Sequence, residues 1–536
     1  MRLGIDFGTT RTLVAMADRG NYPVLGVVDA QGDPHEHVPS VVGLAGDGSG
    51  RLVGGWDALA QWDAPAGRDA LPGSDGVNAS AALARSFKRL LARPDASAAT
   101  PVAIDAEHRP LGEVLAAFAA HVIAGVRRHP LVRERIAAGD AVLEAVVGVP
   151  ANAGSAQRLL TLDAFTRAGV RVLALVNEPS AAAFEYSHRH ARTLNSRRSD
   201  VVVYDLGGGT FDASLVRIDG AEHAVLATSG DPHLGGDDFD ERLVELALSG
   251  ADGLGNVGGH GAVIPAELER LRETARAAKE RLTPQTRRVL LERGDDDLIV
   301  LVDDYYRAVA PLVERTLEAM GPCLARSIPA GRRSAKPTDF TDSEIAGIYL
   351  VGGASALPLV PRLLRERFGR RVHRSPYPAA ATAIGLAIAA DPGSDYWLLD
   401  RSSRGVGVFR ERAAGAEVDF DVLLDAGDGA AGATAVREYR AAHNVGWFRF
   451  VEFTREGAGR IGNLTVLAEV VVPFERGLVG VSDLERVAVE RRDPGPLVRE
   501  TVRLDANGIA NIRLEVPDLG VTIDRAVGAR DLPRQR

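Results

Sequence analysis

The apolar and polar positions repeat one design twice within the first 220 residues. Leu3 to Ala17 and Val201 to Ile218 each run as an apolar strand, an aspartate, a Gly/Thr turn and a second apolar strand. Runs of this kind, broken by turn residues, predict a duplicated β-hairpin. Behind the hairpins, helical periodicity alternates with short strands. An amphipathic helix is expected over Leu111 to Val126, a strand over Ala145 to Val149 and a helix over Ser155 to Ala168. Later, a strand from Ile348 to Val351 meets Gly352-Gly353 and a helix through Arg367. The alternation predicts an α/β fold. Ser249 to Ala262 is too rich in glycine for an element interior and reads as a surface loop, followed by a charged helix from Glu267 to Leu282.

The pattern changes near residue 391. From Val406 onward apolar and polar positions alternate between turn residues, most plainly in Phe448 to Phe453, Leu464 to Leu467 and Thr501 to Leu514, with Asn507-Gly508 as a hairpin turn. The expected organisation is a first domain over 1–390, a linker over 391–400, a β-rich domain over 401–525 and a tail over 526–536. Tyr396-Trp397-Leu398-Leu399 is too apolar for a passive spacer. It reads either as a piece that docks onto a domain or as the first edge strand of the β domain.

Length and composition agree with this division. A chain of 536 residues exceeds what one hydrophobic core supports, and 46% hydrophobic with 25% charged residues excludes a largely disordered or collagen-like chain. The net charge of −9, with no dense basic run, argues against nucleic acid as a partner. The single cysteine, Cys323, excludes an intramolecular disulfide and reads as a small buried hydrophobe in a reducing compartment. No run approaches the about 18 apolar residues of a membrane span, and the start turns acidic too early for a secretory signal, so a cytoplasmic protein without membrane contact is expected. The 12 histidines show no metal-ligand spacing, and the tryptophans read as packing. The Glu and Arg positions of 267–281 read as a solvated face with i,i+4 pairs.

The hairpins also carry candidate chemistry. A phosphate chain needs clustered backbone N–H donors that approach closely, and a Gly/Thr turn between strands supplies them without side-chain obstruction. Neither hairpin is a Walker A loop, because no Gly-Lys-Ser/Thr follows and each turn feeds a strand; neither is a Rossmann fingerprint. Asp6 and Asp205, each at a strand end beside its turn, suit a hydrated Mg²⁺, which keeps several waters and takes one or two carboxylates. Glu178 sits where a helix begins, with Pro179 near the first position; it either matches the helix dipole or orients metal-bound water. Gly352-Gly353 lets a backbone pass close to a ligand, as an ordinary glycine turn also would. Together these pieces fit a nucleotide cleft between two lobes.

In order and spacing, these segments, with Val149-Pro150-Ala151, Asn177-Glu178-Pro179 and Gly230 to Asp240, resemble the 70-kDa heat-shock (DnaK-type) chaperones along residues 1 to about 390. Leu398-Leu399-Asp400 is similar to the end of that family's interdomain linker, and Asp505 to Ile509 to a late turn of its peptide-binding domain. The resemblance implies an actin-like ATPase fold, two duplicated lobes around a nucleotide cleft, plus a C-terminal all-β sandwich-like domain. It implies an ATP-binding molecular chaperone whose nucleotide state controls polypeptide binding. By that resemblance Asp6 and Asp205 hold Mg²⁺, while Gly8, Thr9, Thr10, Gly207, Gly208, Gly209 and Thr210 contact the phosphates of ATP or ADP. Glu178, Asp205 and Asp212 position water or a monovalent cation such as K⁺; Gly235, Gly236, Gly352 and Gly353 line the nucleotide, with Lys279 and Thr283 near ribose and base. The implied partners are unfolded or extended polypeptide, a J-domain co-chaperone and a nucleotide-exchange factor.

The sequence also departs from the family. The family carries a lysine that orients the attacking water, in a segment resembling Leu52-Val53-Gly54 onward; here no lysine falls between 51 and 80, the matching position reads as Leu59, and Lys88 aligns with a separate Lys-Arg-Leu string. Losing a positioned cation slows phosphoryl transfer, so slow or impaired hydrolysis is expected. Arg276 and Glu280 stand where the family has Glu and Arg, Ala356 replaces an arginine near the base, and Ala174 one that contacts J-domain partners. Only Asp524 to Arg536 follow the expected β domain in this sequence, so a chain without the family's helical lid, and with short peptide residence times, is expected. A nucleotide-sensing pseudo-ATPase, an actin-like filament protein and a sugar kinase of the same fold class are the alternatives.

Overall fold

The computed structural model describes residues 1–63, 83–93, 96–104, 107–150, 153, 155–190, 194, 199–220, 222–253, 265–293, 296–326, 345–394, 405–413, 417–425, 433–456, 460–492, 494–504 and 510–527. The Tyr396 to Asp400 segment and the Asn507-Gly508 turn lie outside the described residues.

The hairpins form, and the duplication extends to whole sheets. Strand Arg2–Phe7 runs antiparallel to Arg11–Met16 and parallel to Glu144–Val149, which runs parallel to Arg171–Asn177. Strand Asp200–Leu206 repeats the scheme with Phe211–Asp219, Ile345–Val351 and Val372–Arg374. Strands covered on both faces read as unbroken apolar runs, as in Ile345–Val351, where all seven residues are buried. In Arg2–Phe7 the two faces have different tasks. Leu3, Ile5 and Phe7 enter a core with Phe87, Phe118 and Phe165, while a Cβ at Gly4 would run into the backbone of helix Ala381–Ala390.

Two central helices join the lobes by exchange. Helix Glu178–His190 follows the strands of the first lobe but packs Ala182, Ala183 and Tyr186 among Val201, Val216 and Ile218 of the second. Helix Ala381–Ala390 follows the strands of the second lobe but packs Ala383, Leu386 and Ala387 among Leu13, Ala15 and Val146 of the first. They cross where a Cβ at Gly385 would run into the Ala181 carbonyl.

Two sequence expectations change. Helix Gly236–Gly253 continues through Ser249 to Gly253, which the glycine content assigned to a loop; 254–262 lie outside the described residues. Each helical glycine costs about 1 kcal/mol against alanine, but Phe239, Leu243, Val244 and Ala247 bury the same helix in the second core. Charges of helix Pro265–Glu280 also reach across to a neighbour. Arg272 binds Glu241 at 2.8 Å and Arg276 binds Asp237 at 2.7 Å, both on helix Gly236–Gly253. Cys323 is buried as expected.

From Gly405 the chain forms two antiparallel layers. Glu417–Leu424, Gly405–Arg412, Val445–Glu456 and Arg460–Pro473 make one; Thr434–Arg440, Leu497–Leu504, Ala510–Val516 and Val521–Val527 make the other. Val408, Phe450, Val472, Val502 and Leu514 fill the space between. Ala510–Val516 buries Ala510, Ile512, Leu514 and Val516 and exposes Asn511 and Arg513, the period-two alternation of a half-covered strand.

This β unit is joined to the first lobe by backbone. Strand Arg460–Pro473 pairs antiparallel with Arg171–Asn177, Thr465 opposite Ala174 and Leu464 opposite Leu175, so that one sheet runs through both units. The buried Arg158 guanidinium donates to Asn177 Oδ1 at 3.0 Å and to the Ile461 carbonyl at 3.3 Å. Arg449 binds Asp163 Oδ1 at 2.8 Å, and Phe420, Val451, Phe453 and Leu464 enter the first lobe's core. Because Asp163→Arg sets like charges across this seam, we expect scanning calorimetry to resolve two unfolding transitions where the unaltered chain gives one. A single unshifted transition in the variant would show that the seam does not depend on the pair.

Candidate functional site

The two hairpin turns face each other. A Cβ on Gly208 would come within 2.6 Å of Thr10 Oγ1, so the absent side chain lets the turns meet. They wall a cavity of about 560 Å³, within the range of about 300–1,000 Å³ usual for small-molecule sites. Its lining gathers Asp6, Gly8, Thr9, Thr10, Glu178, Asp205, Gly207, Gly208, Gly209, Thr210, Asp212, Gly236, Lys279, Gly352 and Gly353 from both lobes. Two expected residues stand elsewhere. Gly235 packs beneath the second turn, its amide donating to Asp238 Oδ2 at 2.8 Å, and Thr283 is exposed, its amide donating to Thr286 Oγ1 at 3.0 Å.

Each turn is pinned through its carbonyls. Ser40 donates from Oγ to the Gly8 carbonyl at 2.8 Å and from its amide to the Thr10 carbonyl at 2.9 Å. The start of helix Gly236–Gly253 does the same for the second turn, Gly236 N to Gly207 O at 2.9 Å and Asp237 N to Gly208 O at 2.7 Å. Among the described residues the amides of Gly208 and Gly209 have no acceptor, which leaves N–H groups for an anion. Gly352 adopts φ +83°, and a Cβ there would run into the Asp205 carboxylate, so this turn requires glycine twice over.

Carboxylates crowd the floor. Asp6 lines the cavity but is otherwise walled in by protein; this enclosure, and then the Glu178 charge, push its pKa from 3.8 up to about 7. Enclosure raises Asp205 well above the ordinary range, with Glu178, Asp212 and Asp6 adding to it. Asp212, open to the cavity, is displaced in the same sense, chiefly by enclosure and then by Glu178. In all three the Lys88 ammonium acts in the opposite direction.

Lys88 overturns the expectation of a cleft without a lysine. It stands on the short helical turn Phe87–Ala92, lines the cavity, places Nζ 3.0 Å from Glu178 Oε1 and donates to the Phe7 carbonyl. Leu59, the position matched by spacing, packs instead against the small cluster of Val41, Ala45, Val53 and Ala58. Spacing from the first hairpin points to Leu59, whereas the contact that brings Lys88 to the cleft joins residues 90 positions apart. With Lys88 beside Glu178, the ground for expecting impaired hydrolysis falls away. Of the base-site substitutions, Arg276 and Glu280 line the cavity and Ala356 does not. Arg276 lines the cavity bound to Asp237, Glu280 pairs with Arg11 across the lobes, and Ala354, not Ala356, reaches the cavity wall.

The family model described as Hsp70 protein matches residues 116–396, just over half of the chain. The chain belongs to the Hsp70 family. Across 99% of its length it is 32% identical to a protein named chaperone protein HscA homolog from Laribacter hongkongensis, of which it covers 79%. It is 33% identical over 75% of its length to the HscA homolog of Bordetella petrii, covering 60% of that protein. With the HscA homolog of Pseudomonas fluorescens it shares 37% identity over 48% of its length, 38% of the relative. Hsp70 membership implies an actin-like ATPase fold with a C-terminal β domain, and the paired sheets and β layers agree with it. No helix among the described residues is long and apolar enough to cross a membrane.

The donor set fits the Mg²⁺ that an Hsp70 protein implies. Asp6 and Asp205 face the cavity beside Glu178, whose charge Lys88 only partly offsets, and among the described residues no group of three His, Cys, Asp or Glu side chains is close enough to hold a metal ion directly, so these two carboxylates would reach it through water. That combination suits an ion that keeps most of its water. The raised pKa gives the sign of a pH effect. Without ligand, the folded protein holds extra protons between pH 3.8 and about 7, so stability falls as pH rises through that window. Ligand-free protein should therefore melt at a higher temperature at pH 6 than at pH 8, and Asp6→Asn should raise Tm at pH 8 by about 2–4 °C. An unchanged Tm in a thermal-shift titration would show that the carboxylate carries no such burden.

Proposed function

We propose that the chain is an ATP-dependent chaperone, in which Mg²⁺-ATP or Mg²⁺-ADP occupies the cleft and its state governs how the β unit holds extended polypeptide. One observation carries the reading: two Gly/Thr turns from duplicated lobes oppose each other over Asp6, Asp205, Glu178 and Lys88 in a single cavity. We take 1–390 as the nucleotide-binding unit, 391–400 as linker and 401–525 as the polypeptide-binding unit. Bound Mg²⁺ would supply neutralisation of charge on the phosphates. Asp6 and Asp205 would hold it through water. Thr9, Thr10, Thr210 and the glycine amides would bind phosphate oxygens, and Gly352, Gly353 and Lys279 would flank the nucleoside. Glu178 and Lys88, 3.0 Å apart, would orient the attacking water, with the Lys88 ammonium stabilising charge that grows in the transition state. Asp212 would complete the water or K⁺ site. A strand groove on the β unit would bind polypeptide through backbone hydrogen bonds and apolar pockets. A J-domain co-chaperone and a nucleotide-exchange factor are the partners that family membership suggests. Ala174, at the position of the family's co-chaperone arginine, is strand-paired with Thr465 here, so a J-domain partner would need a different contact.

Calorimetric titration with Mg²⁺-ATP tests the nucleotide site. Asp205→Ala and Asp6→Ala should each lose binding; retained affinity in both would refute the reading. Lys88→Ala should keep nucleotide affinity within about threefold while lowering the single-turnover hydrolysis rate by about 10²–10³-fold. Equal turnover in the two proteins would move the water-orienting role off Lys88. A fluorescent extended peptide released by ATP but not by ADP would support the coupling, and nucleotide-independent anisotropy would oppose it.

A further inference from the structure

Among the described residues six Lys and Arg side chains line the cleft: Arg11, Lys88, Arg89, Arg276, Lys279 and Arg460. Four are committed, to Glu280, Glu178, Asp237 and Asp240 respectively once Arg89 and Arg460 are set aside. Among the described residues the guanidinium groups of those two have no hydrogen-bond or ion-pair partner. Arg89 lies over the second turn, where a Cβ on Gly209 would run into its Nη2. Arg460 belongs to neither lobe.

Arg460 opens the β-unit strand that joins the first lobe's sheet. Its neighbour Ile461 accepts from Arg158, and the same guanidinium nitrogen of Arg158 donates to Asn177, the residue before Glu178. Arg460 is thereby tied to the wall that carries Glu178 and lines the same cavity as Lys88. The side chain is exposed and so pays little desolvation before a ligand arrives. A guanidinium offers a planar fork of donors that matches two phosphate oxygens at once.

We propose that Arg460 is a phosphate ligand delivered by the β unit, binding the terminal phosphate of a nucleoside triphosphate in the cleft. The proposal rests on the nucleotide reading of the cavity. Its consequence is direct: a nucleoside triphosphate is held by both units, a diphosphate by the lobes alone. By linkage, the factor by which docking of the β unit tightens triphosphate binding is also the factor by which triphosphate favours docking.

The test uses the full chain, with Mg²⁺ and either a non-hydrolysable ATP analogue or ADP, read by calorimetry. Arg460→Ala should weaken the triphosphate analogue by about tenfold, equivalent to about 1.4 kcal/mol, and leave ADP within about twofold. Arg460→Lys, a point charge without the fork, should fall between. Unchanged affinities in Arg460→Ala, or an equal loss for both nucleotides, would overturn the proposal while leaving the cleft as a nucleotide site. If the unaltered chain binds neither nucleotide, both readings fall together.

Discussion

The molecule depends on a backbone contact that tolerates no side chain. Where helices Glu178–His190 and Ala381–Ala390 cross, Gly385 lies against the Ala181 carbonyl, and Gly4 of the first strand lies against the second of these helices. A Cβ at Gly385 would force the helices apart and one at Gly4 would push the strand from its helix, and interiors packed like organic crystals transmit such strain instead of absorbing it. Since each helix covers the sheet of the lobe it does not follow, the crossing fixes the two lobes to one another. It also sets Glu178, the first residue of one helix, between the aspartates of both hairpins.

The cleft is assembled at the expense of its own stability. Asp6, Asp205 and Asp212 are brought together with Glu178 in one cavity where charge is costly, and Lys88 offsets only part of the repulsion. Structures held in such a state are poised for a cation. The ion pairs that bridge the lobes, Arg11 to Glu280 and Arg85 to Glu273 at 3.3 Å, are exposed and individually weak. Closure of the lobes is thus held mainly by the central helices, with these pairs as trim.

The parts legible in the sequence were those written locally. Each hairpin with its aspartate lies within fewer than twenty consecutive residues, so pattern alone placed Asp6 and Asp205 beside their turns. Leu111 to Val126 announced its buried face through three-and-four spacing. What escaped depends on distances the chain does not advertise. Lys88 reaches Glu178 across 90 positions of sequence. Ser249 to Gly253 stays helical despite its glycines because the preceding turns are buried. Arg272 and Arg276 of Pro265–Glu280 reach carboxylates on another helix, which no periodicity of their own could reveal.

The seam between the first lobe and the β unit has one more consequence. Its ladder at Ala174–Leu175 and Leu464–Thr465 satisfies amides and carbonyls that would otherwise sit on two bare rims. If the units part, both rims are stripped at once and become adhesive to any stretched-out peptide, including the matching rim of a neighbouring copy. Opening must therefore be brief, or both rims must be covered again, if copies of the chain are not to pair with one another.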